Sequence, residues 1–361
     1  MSIKKDKYFI SLANNLAQNF LGYTGPNPSV GAIIVKNNKI ISFGVTSSSG
    51  RPHAERNALK KISKTNKKGS TIYISLEPCS HYGKTPPCVN EIISSKIKRV
   101  VYSIDDVDPR TSRKSFKILR SKKISVKKNL FKNISKTIYK KYFYSKNKKI
   151  PYIYGKLAIS RDFYLKDKKN FYITNKHSLA TTHILRSKVN CILTTYKTIN
   201  DDNPKLNCRI KGLEKFSPYV AIIDQNLKVK KHSYLIKNAK KNKTFIFYNS
   251  KDKKNIHFFK SKNIKLIYTP IYKTTLDFSF ILKKLYDFEI LSVLIEGGKS
   301  LMTSLLKMGY FNEFFLFESS KKLKNRGNLQ IKNIKLDLFN KFKNIRTNET
   351  FLDKDNLIHY Y

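Results

Sequence analysis

The 361-residue sequence predicts two consecutive α/β domains. Three observations lead there. The length exceeds what one hydrophobic core usually organises. Short apolar runs alternate with stretches of helical periodicity along most of the chain. That alternation restarts after a basic helical stretch ending at Pro151, which puts the boundary near residue 148 and the domains at 1–147 and 148–361. Hydrophobic residues make up 40% and aromatic residues 12%, enough to fill two cores and to exclude a largely disordered chain.

In the first domain Tyr8, Phe9, Leu12, Ala13, Leu16, Phe20 and Leu21 recur at helical spacing and predict an amphipathic opening helix. Val30 to Val35 and Lys39 to Val45 read as two arms of a hairpin turning at Asn37-Asn38. A helix is expected from Ala54 to Ile62, then strands at Thr71 to Leu76 and Arg99 to Ile104, with a helix over Val89 to Ser95 between them. A basic helix over Asn129 to Lys149 closes the domain. In the second domain strands are expected at Tyr152–Ile159, Cys191–Thr195, Tyr219–Asp224, Thr244–Tyr248, Leu291–Ile295 and Glu313–Phe317. Helices are expected at Ser178–Ser187, Leu276–Tyr286 and Ser300–Met308. Such alternation predicts a mostly parallel sheet. The Lys/Asn-rich segments 228–243 and 251–263 read as solvated loops and strand edges.

The 73 basic and 24 acidic side chains give a net charge of +49, which raises a nucleic-acid or anionic-membrane role. Of the basic residues 62 are Lys and only 11 are Arg, whereas bidentate reading of nucleic acid relies on Arg. The chain is also rich in Ile, Asn, Tyr and Phe and lacks Trp, a set favoured by A/T-rich codons. No specific nucleic-acid partner is therefore expected. Residues Phe9 to Val35 carry no charge, but Asn14, Asn15, Gln18 and Asn19 and the Gly25-Pro26-Asn27-Pro28 break interrupt any membrane span. No membrane role is expected, and the chain reads as cytoplasmic. Four cysteines in this length make no disulfide scaffold.

Chemistry concentrates in His53-Ala54-Glu55, Pro78-Cys79 and Cys88. One His and two Cys supply three zinc ligands and leave the fourth tetrahedral position to water, the pattern of a catalytic Zn2+ site. Zinc lowers the pKa of such a water from about 15.7 to about 7. Glu55, two residues past the His, is placed to share that water without ligating and to shuttle its proton to departing ammonia. The generic zinc-deaminase signature has two residues between its cysteines, and here eight, Ser80 to Pro87, intervene.

That long insert is informative. Glu77 to Cys88, with Pro26-Asn27-Pro28-Ser29-Val30-Gly31, closely resembles the bifunctional riboflavin-biosynthesis deaminase–reductase family. The resemblance implies a cytidine-deaminase-like α/β/α sandwich followed by a dihydrofolate-reductase-like α/β domain. It implies deamination of 2,5-diamino-6-ribosylamino-4(3H)-pyrimidinone 5′-phosphate, then NADPH-dependent reduction of the ribosyl to a ribityl chain. It makes His53, Cys79 and Cys88 the ligands of one zinc, Glu55 the proton shuttle, and Asn27 and Lys84 substrate contacts, with His81 orienting the loop or touching substrate.

In the second domain no Gly-x-Gly-x-x-Gly occurs, and Glu296-Gly297-Gly298 stands between a strand and a helix. Lys156 to Ser160, Ile173-Thr174, His183 to Arg186 and Thr198 to Arg209 follow the order of the family's reductase domain. By this similarity Lys156, Asn170, Arg186, Leu206, Arg209 and Glu296 would line the sugar-phosphate site, with Arg186 and Arg209 clamping phosphate. Ala158, Ser160, Tyr172, Thr198 and Asp202 would face NADPH. So would the backbone of the run Gly298, Lys299, Ser300, Leu301, Met302, Thr303 and Ser304. A homodimer through the reductase domain is implied as well.

Departures from the family fall mainly in the second half. Its Ser-Leu-Asp-Gly reads Ser160-Arg161-Asp162-Phe163, which predicts loss of a glycine turn. Asn203 replaces the second acid of an Asp-Asp-Pro, and Thr46 stands where a His is usual. Two competing readings stay open: a deaminase whose second domain has decayed into a scaffold, and a zinc deaminase acting on nucleic acid.

Overall fold

The computed structural model describes residues 3–169, 172–239, 243–348 and 352–361. The chain divides into two compact units, Met1–Lys149 and Ile150–Tyr361. Among the described residues no helix is long and apolar enough to cross a membrane.

The first unit opens with α1 (Ile3–Asn19), whose stripe of Phe9, Ile10, Ala13 and Ala17 is buried. Strands β1 (Gly31–Lys36) and β2 (Lys39–Val45) form the expected hairpin. Asn37 and Asn38 turn it at φ of 50° and 62°, a left-handed pair that suits Asn and matches strand twist. Next come α2 (Ala54–Leu59), α3 (Lys64–Lys67), β3 (Thr71–Ile74), α4 (Cys88–Ser94), β4 (Arg99–Tyr102), α5 (Lys114–Ser121), β5 (Ser125–Lys128) and α6 (Lys132–Lys148). The sheet runs β2-β1-β3-β4-β5, parallel from β3 to β5 and antiparallel where β1 meets β2 and β3.

Period-two alternation gives each sheet face its own core. Ile33, Val35, Tyr73 and Val101 pack with Phe9, Ile10 and Ala13 of α1. Ala32, Ile34, Ile72, Ile74, Val100 and Tyr102 pack with Ala58, Val89, Ile92 and Leu119 on the opposite helices. The predicted α/β/α sandwich results. The helix expected to reach Ile62 stops at Leu59.

Asp6 ties α1 to three strands. Its carboxylate accepts two bonds from Arg99, each of 2.7 Å, one from Tyr73 Oη at 2.9 Å and one from Lys127 Nζ at 3.1 Å. Burial by itself would raise the Asp6 pKa; the bonds from Arg99, Tyr73 and Lys127 outweigh it and hold the group down at about 2.

The second unit begins with β6 (Tyr152–Ile159), β7 (Tyr164–Asp167), α7 (Lys176–Ser187), β8 (Cys191–Thr195), α8 (Tyr196–Asp202), β9 (Tyr219–Ile223) and α9 (Tyr234–Lys237). It continues with β10 (Thr244–Tyr248), α10 (Lys253–Ser261), β11 (Lys265–Tyr268), β12 (Ile271–Tyr272), β13 (Thr275–Leu276), α11 (Phe278–Asp287) and β14 (Ser292–Glu296). The last elements are α12 (Lys299–Lys307), β15 (Glu313–Glu318), β16 (Gly327–Gln330), α13 (Ile334–Lys341), β17 (Ile345–Asn348) and β18 (Asn356–Tyr360). The main sheet runs β11-β10-β9-β8-β14-β6-β15-β18-β17. It is parallel from β11 to β15, and β18 and β17 add an antiparallel arm.

Two expectations for this unit are corrected. The segments 228–243 and 251–263 are not simply solvated: α9 buries Leu235 and Ile236, and α10 buries Phe259 completely. Dense Lys and Asn hid these helices because each turns only one or two apolar residues inward; residues 240–242 lie outside the described residues. The helix expected from Leu276 starts at Phe278, because Asp277 Oδ1 accepts the backbone N–H groups of Ser279 and Phe280 and so caps it there.

Asp6→Asn should destabilise the first unit by about 3 kcal/mol at neutral pH, since Arg99 and Lys127 lose a buried counter-charge. The Asp6 pKa is depressed on folding. Its contribution is therefore complete above about pH 4 and fades as pH falls through the folded value. The urea midpoints of variant and wild type should differ at pH 6 and converge in acid; equal midpoints at pH 6 would contradict the assignment.

Candidate active sites

His53 is the residue before α2, Cys79 follows β3, and Cys88 opens α4. Gly44 lets β2 come close enough to α2 to fix this corner, because a Cβ there would sit 2.3 Å from the Ala54 carbonyl oxygen. Three donors meet as a result. His53 Nδ1 is 3.4 Å from Cys88 Sγ and 3.6 Å from Cys79 Sγ, and all three atoms lie within 4.8 Å of one another. Zinc bonds of about 2.3 Å to sulfur and about 2.0 Å to nitrogen at tetrahedral angles require donor separations of roughly 3.5–3.8 Å. The donor set and its spacing fit Zn2+.

The electrostatics are consistent with that chemistry. The Cys88 thiol, the His53 ring and the Cys88 backbone N–H (3.2 Å) all bear on Cys79 Sγ and hold its thiol down at about 4, the Cys88 thiol being the largest cause. Cys88, as the donor, is pushed up. Glu55 is 3% exposed and, through burial and the adjacent Cys79 sulfur, is pushed up to about 7. A carboxyl balanced there can both take and give a proton at neutral pH.

Asn27 is held beside this corner by Nδ2 donating to the Gly50 carbonyl at 2.7 Å, and Gly50 itself has φ of 81°. Lys84 is exposed on the inter-cysteine loop. His81 pairs through Nδ1 with Thr111 Oγ1 at 2.9 Å. Thr46 is buried, and its Oγ1 accepts the Val30 N–H. A group that sequence spacing gave no sign of stabilises the loop from behind. Ser115 Oγ donates to the Pro78 carbonyl, Ser80 Oγ donates to the Arg110 carbonyl, and Glu77 Oε2 accepts the N–H groups of Asp106 and Arg113.

In the second unit a cavity of about 1340 Å³ opens at the carboxyl ends of β6, β8, β9 and β14. This is where the strand order reverses, the usual ligand position in such sheets. It exceeds the roughly 300–1000 Å³ of a single-ligand pocket, so it has room for a substrate and a dinucleotide together. Lys156, Arg186, Leu206 and Glu296 line it, as do Ala158, Thr198 and Asp202. So do Gly298, Lys299, Ser300, Leu301, Thr303 and Ser304. Gly298 precedes α12 without a side-chain cap, and the first turn of α12 holds no acid, so its amide end suits a phosphate.

Several expected residues lie elsewhere. Ser160 is fully buried, with Oγ donating to Asp162 Oδ1 at 2.6 Å and accepting the Tyr164 N–H, so its hydroxyl is consumed by the turn. The Met302 side chain points into the apolar core, because its place on α12 faces the sheet, whereas the expectation there concerned its backbone. Tyr172 is 48% exposed and Arg209 is exposed, and neither lines the cavity. Asn170 lies outside the described residues.

Glu296 and Arg186 form a two-bond ion pair, Nε–Oε1 at 2.7 Å and Nη2–Oε2 at 2.8 Å, each side chain only 12% exposed. Burial would raise the Glu296 pKa, but Arg186 outweighs it and keeps the carboxylate charged. Burial holds the Lys156 ammonium below the usual lysine range, with Glu296 opposing. The expected loss of the turn at Phe163 does not occur. Phe163 takes φ of 67° and donates its N–H to the Ser160 carbonyl at 2.9 Å, so a bulky residue holds the glycine geometry. Asn203, at φ 41°, ends α8 and accepts the Tyr234 N–H at 2.7 Å.

Comparison with known proteins agrees with both units. The cytidine and deoxycytidylate deaminase zinc-binding region matches residues 3–104, and the RibD C-terminal domain matches residues 151–327. The riboflavin biosynthesis protein RibD of Aquifex aeolicus is 33% identical over 318 residues, covering 88% of this chain and 87% of the relative. A diaminohydroxyphosphoribosylamino-pyrimidine deaminase of Buchnera aphidicola is 45% identical over 139 residues, 38% of this chain and 94% of its own. The crystal structure of the Thermotoga maritima deaminase/reductase superimposes with a TM-score of 0.78 at 28% identity, covering 99% of this chain and 98% of that one. A zinc-binding deaminase unit and a reductase unit in one polypeptide, matched from end to end, make this chain a member of the RibD family of bifunctional riboflavin-biosynthesis enzymes.

Proposed function

We propose that the first unit deaminates 2,5-diamino-6-ribosylamino-4(3H)-pyrimidinone 5′-phosphate and that the second reduces the ribosyl group of the product to ribityl. The observation that carries the first step is the convergence of His53, Cys79 and Cys88 within 4.8 Å, beside a buried Glu55 held near pKa 7. Zinc held there supplies the Lewis acidity that makes a water acidic near neutral pH. Glu55 takes a proton from that water, whose oxygen bonds to the amine-bearing ring carbon, and delivers it to the amine nitrogen; the carbon–nitrogen bond then breaks, leaving a carbonyl and ammonia. Asn27 and Lys84 orient the substrate from the two loops that flank this corner.

For the second step NADPH supplies the hydride. Lys156, Arg186, Leu206 and Glu296 border the sugar-phosphate end of the cavity, and Ala158, Thr198, Asp202 and the start of α12 border the dinucleotide end. Arg186 has turned two of its nitrogens to Glu296, so its part is to hold that carboxylate in place, and Lys156, Lys197 and Lys299 are further basic side chains on the cavity wall. Asp202 is tied to Lys166 at 2.8 Å, which fixes the floor at α8. We also propose that the chain pairs with a second copy through the reductase unit. Leu336 and Phe339 on α13 are 59% and 63% exposed, and they precede the edge strand β17. A cytoplasmic location suits its four free cysteines.

Glu55→Gln should retain one zinc per chain while ammonia release falls by at least a hundredfold. Metal analysis beside an ammonia assay checks this, and full activity in the variant would refute the assigned shuttle. Supplied with the deaminated intermediate, the wild type should consume NADPH, read as falling nicotinamide absorbance, and Glu55→Gln should do so equally well. No fall in the wild type would mean that the second unit serves only as a scaffold.

A further inference from the structure

His183 is buried on α7, is not among the residues that line the cavity, and has no role in the reading above. Its Nδ1 lies 3.0 Å from the Asn207 carbonyl oxygen. A carbonyl only accepts, so Nδ1 carries the proton and the ring is the donor. Arg186 Nη1 reaches the same oxygen at 3.4 Å while its other nitrogens hold Glu296. One carbonyl therefore joins His183 to the ion pair on the cavity wall. The residue just before it, Leu206, lines the cavity at φ of 47°, a left-handed conformation that a leucine keeps only when its surroundings impose it. On the far side the Cys208 N–H is held by Ser217 Oγ at 3.1 Å. Burial, with Arg186 and Arg209 nearby, outweighs the opposing bond to the Asn207 carbonyl and the Glu296 charge and pushes the His183 pKa down to about 4, so the ring is neutral and keeps its single donor.

We infer that His183 is a positioning residue of the reductase site: by holding the Asn207 carbonyl it sets Leu206 and the Arg186–Glu296 pair against the substrate end of the cavity. This inference rests on the reductase reading and extends it to a residue that does not touch substrate.

Three substitutions in the full-length protein test it, because the donor's reach is what matters. The amide nitrogen of Asn sits the same number of bonds from Cα as imidazole Nδ1, and that of Gln one bond further. His183→Ala should raise the KM of the reductase for the deaminated intermediate roughly tenfold, the effect of leaving a buried acceptor short of a donor. Its kcat should stay within about twofold of wild type, as expected for lost binding. His183→Asn should restore KM to within about threefold, His183→Gln should resemble Ala, and ammonia release should be unchanged in all three. An unchanged KM in the Ala variant, a kcat loss as large as the KM rise, or an Asn variant no better than Gln would overturn the inference. Thermal midpoints restored by Asn without restoration of KM would also overturn it, by limiting His183 to folding. A wild type that consumed no NADPH would sink the reductase reading itself, and this inference with it.

Discussion

Parallel strands must all end at the same edge of their sheet, and the helices that connect them must begin there. Both sites depend on this constraint. In the first unit β3 delivers Cys79 to that edge, and α4 starts there with Cys88. Strand β1 runs antiparallel to β3, so the Asn27 loop before it lies at the same edge, as does the end of β2 that leads to His53. In the second unit the carboxyl ends of β6, β8, β9 and β14 surround the cavity, and α12 begins beside it. Residues far apart in sequence are gathered by strand direction alone.

Buried carboxyl groups show how surroundings separate structural from chemical roles. Asp6 is surrounded by Arg99, Lys127 and Tyr73 and stays charged well into acid, which suits a strut. Glu296 is likewise kept charged, by Arg186, at the wall of a cavity. Glu55 has no such cation as its main neighbour; burial and the Cys79 sulfur bring it to about 7. The same functional group is thus held as a fixed charge in two places and left able to exchange a proton near neutral pH in the third.

The departures from the family pattern change side chains more than backbone. Phe163 adopts a conformation normally left to glycine, and its ring packs against the core of the second unit. Asn203 does the same at the end of α8, where Asn tolerates the left-handed region better than most residues. Core packing at Phe163 and the hydrogen bonds that close each turn hold these shapes, so a changed letter did not erase the turn. Reading such letters for loss of geometry overestimates the damage.

The order of elements and the convergence of His53, Cys79 and Cys88 could be read from the letters because they rest on local rules: periodicity, turn chemistry and donor type. The Lys- and Asn-rich helices around Leu235 and Phe259 escaped because one or two inward residues per helix leave no periodic trace. Which residues of α12 turn their side chains to the cavity and which, like Met302, turn them to the core was set by helix phase against the sheet. The pairing of Arg186 with Glu296, and the Asn207 carbonyl that ties both to His183, join positions up to 110 residues apart. Spacing along a chain fixes which atoms are available; only packing in three dimensions decides which of them meet, because buried charges and carbonyls must find partners wherever the fold brings them.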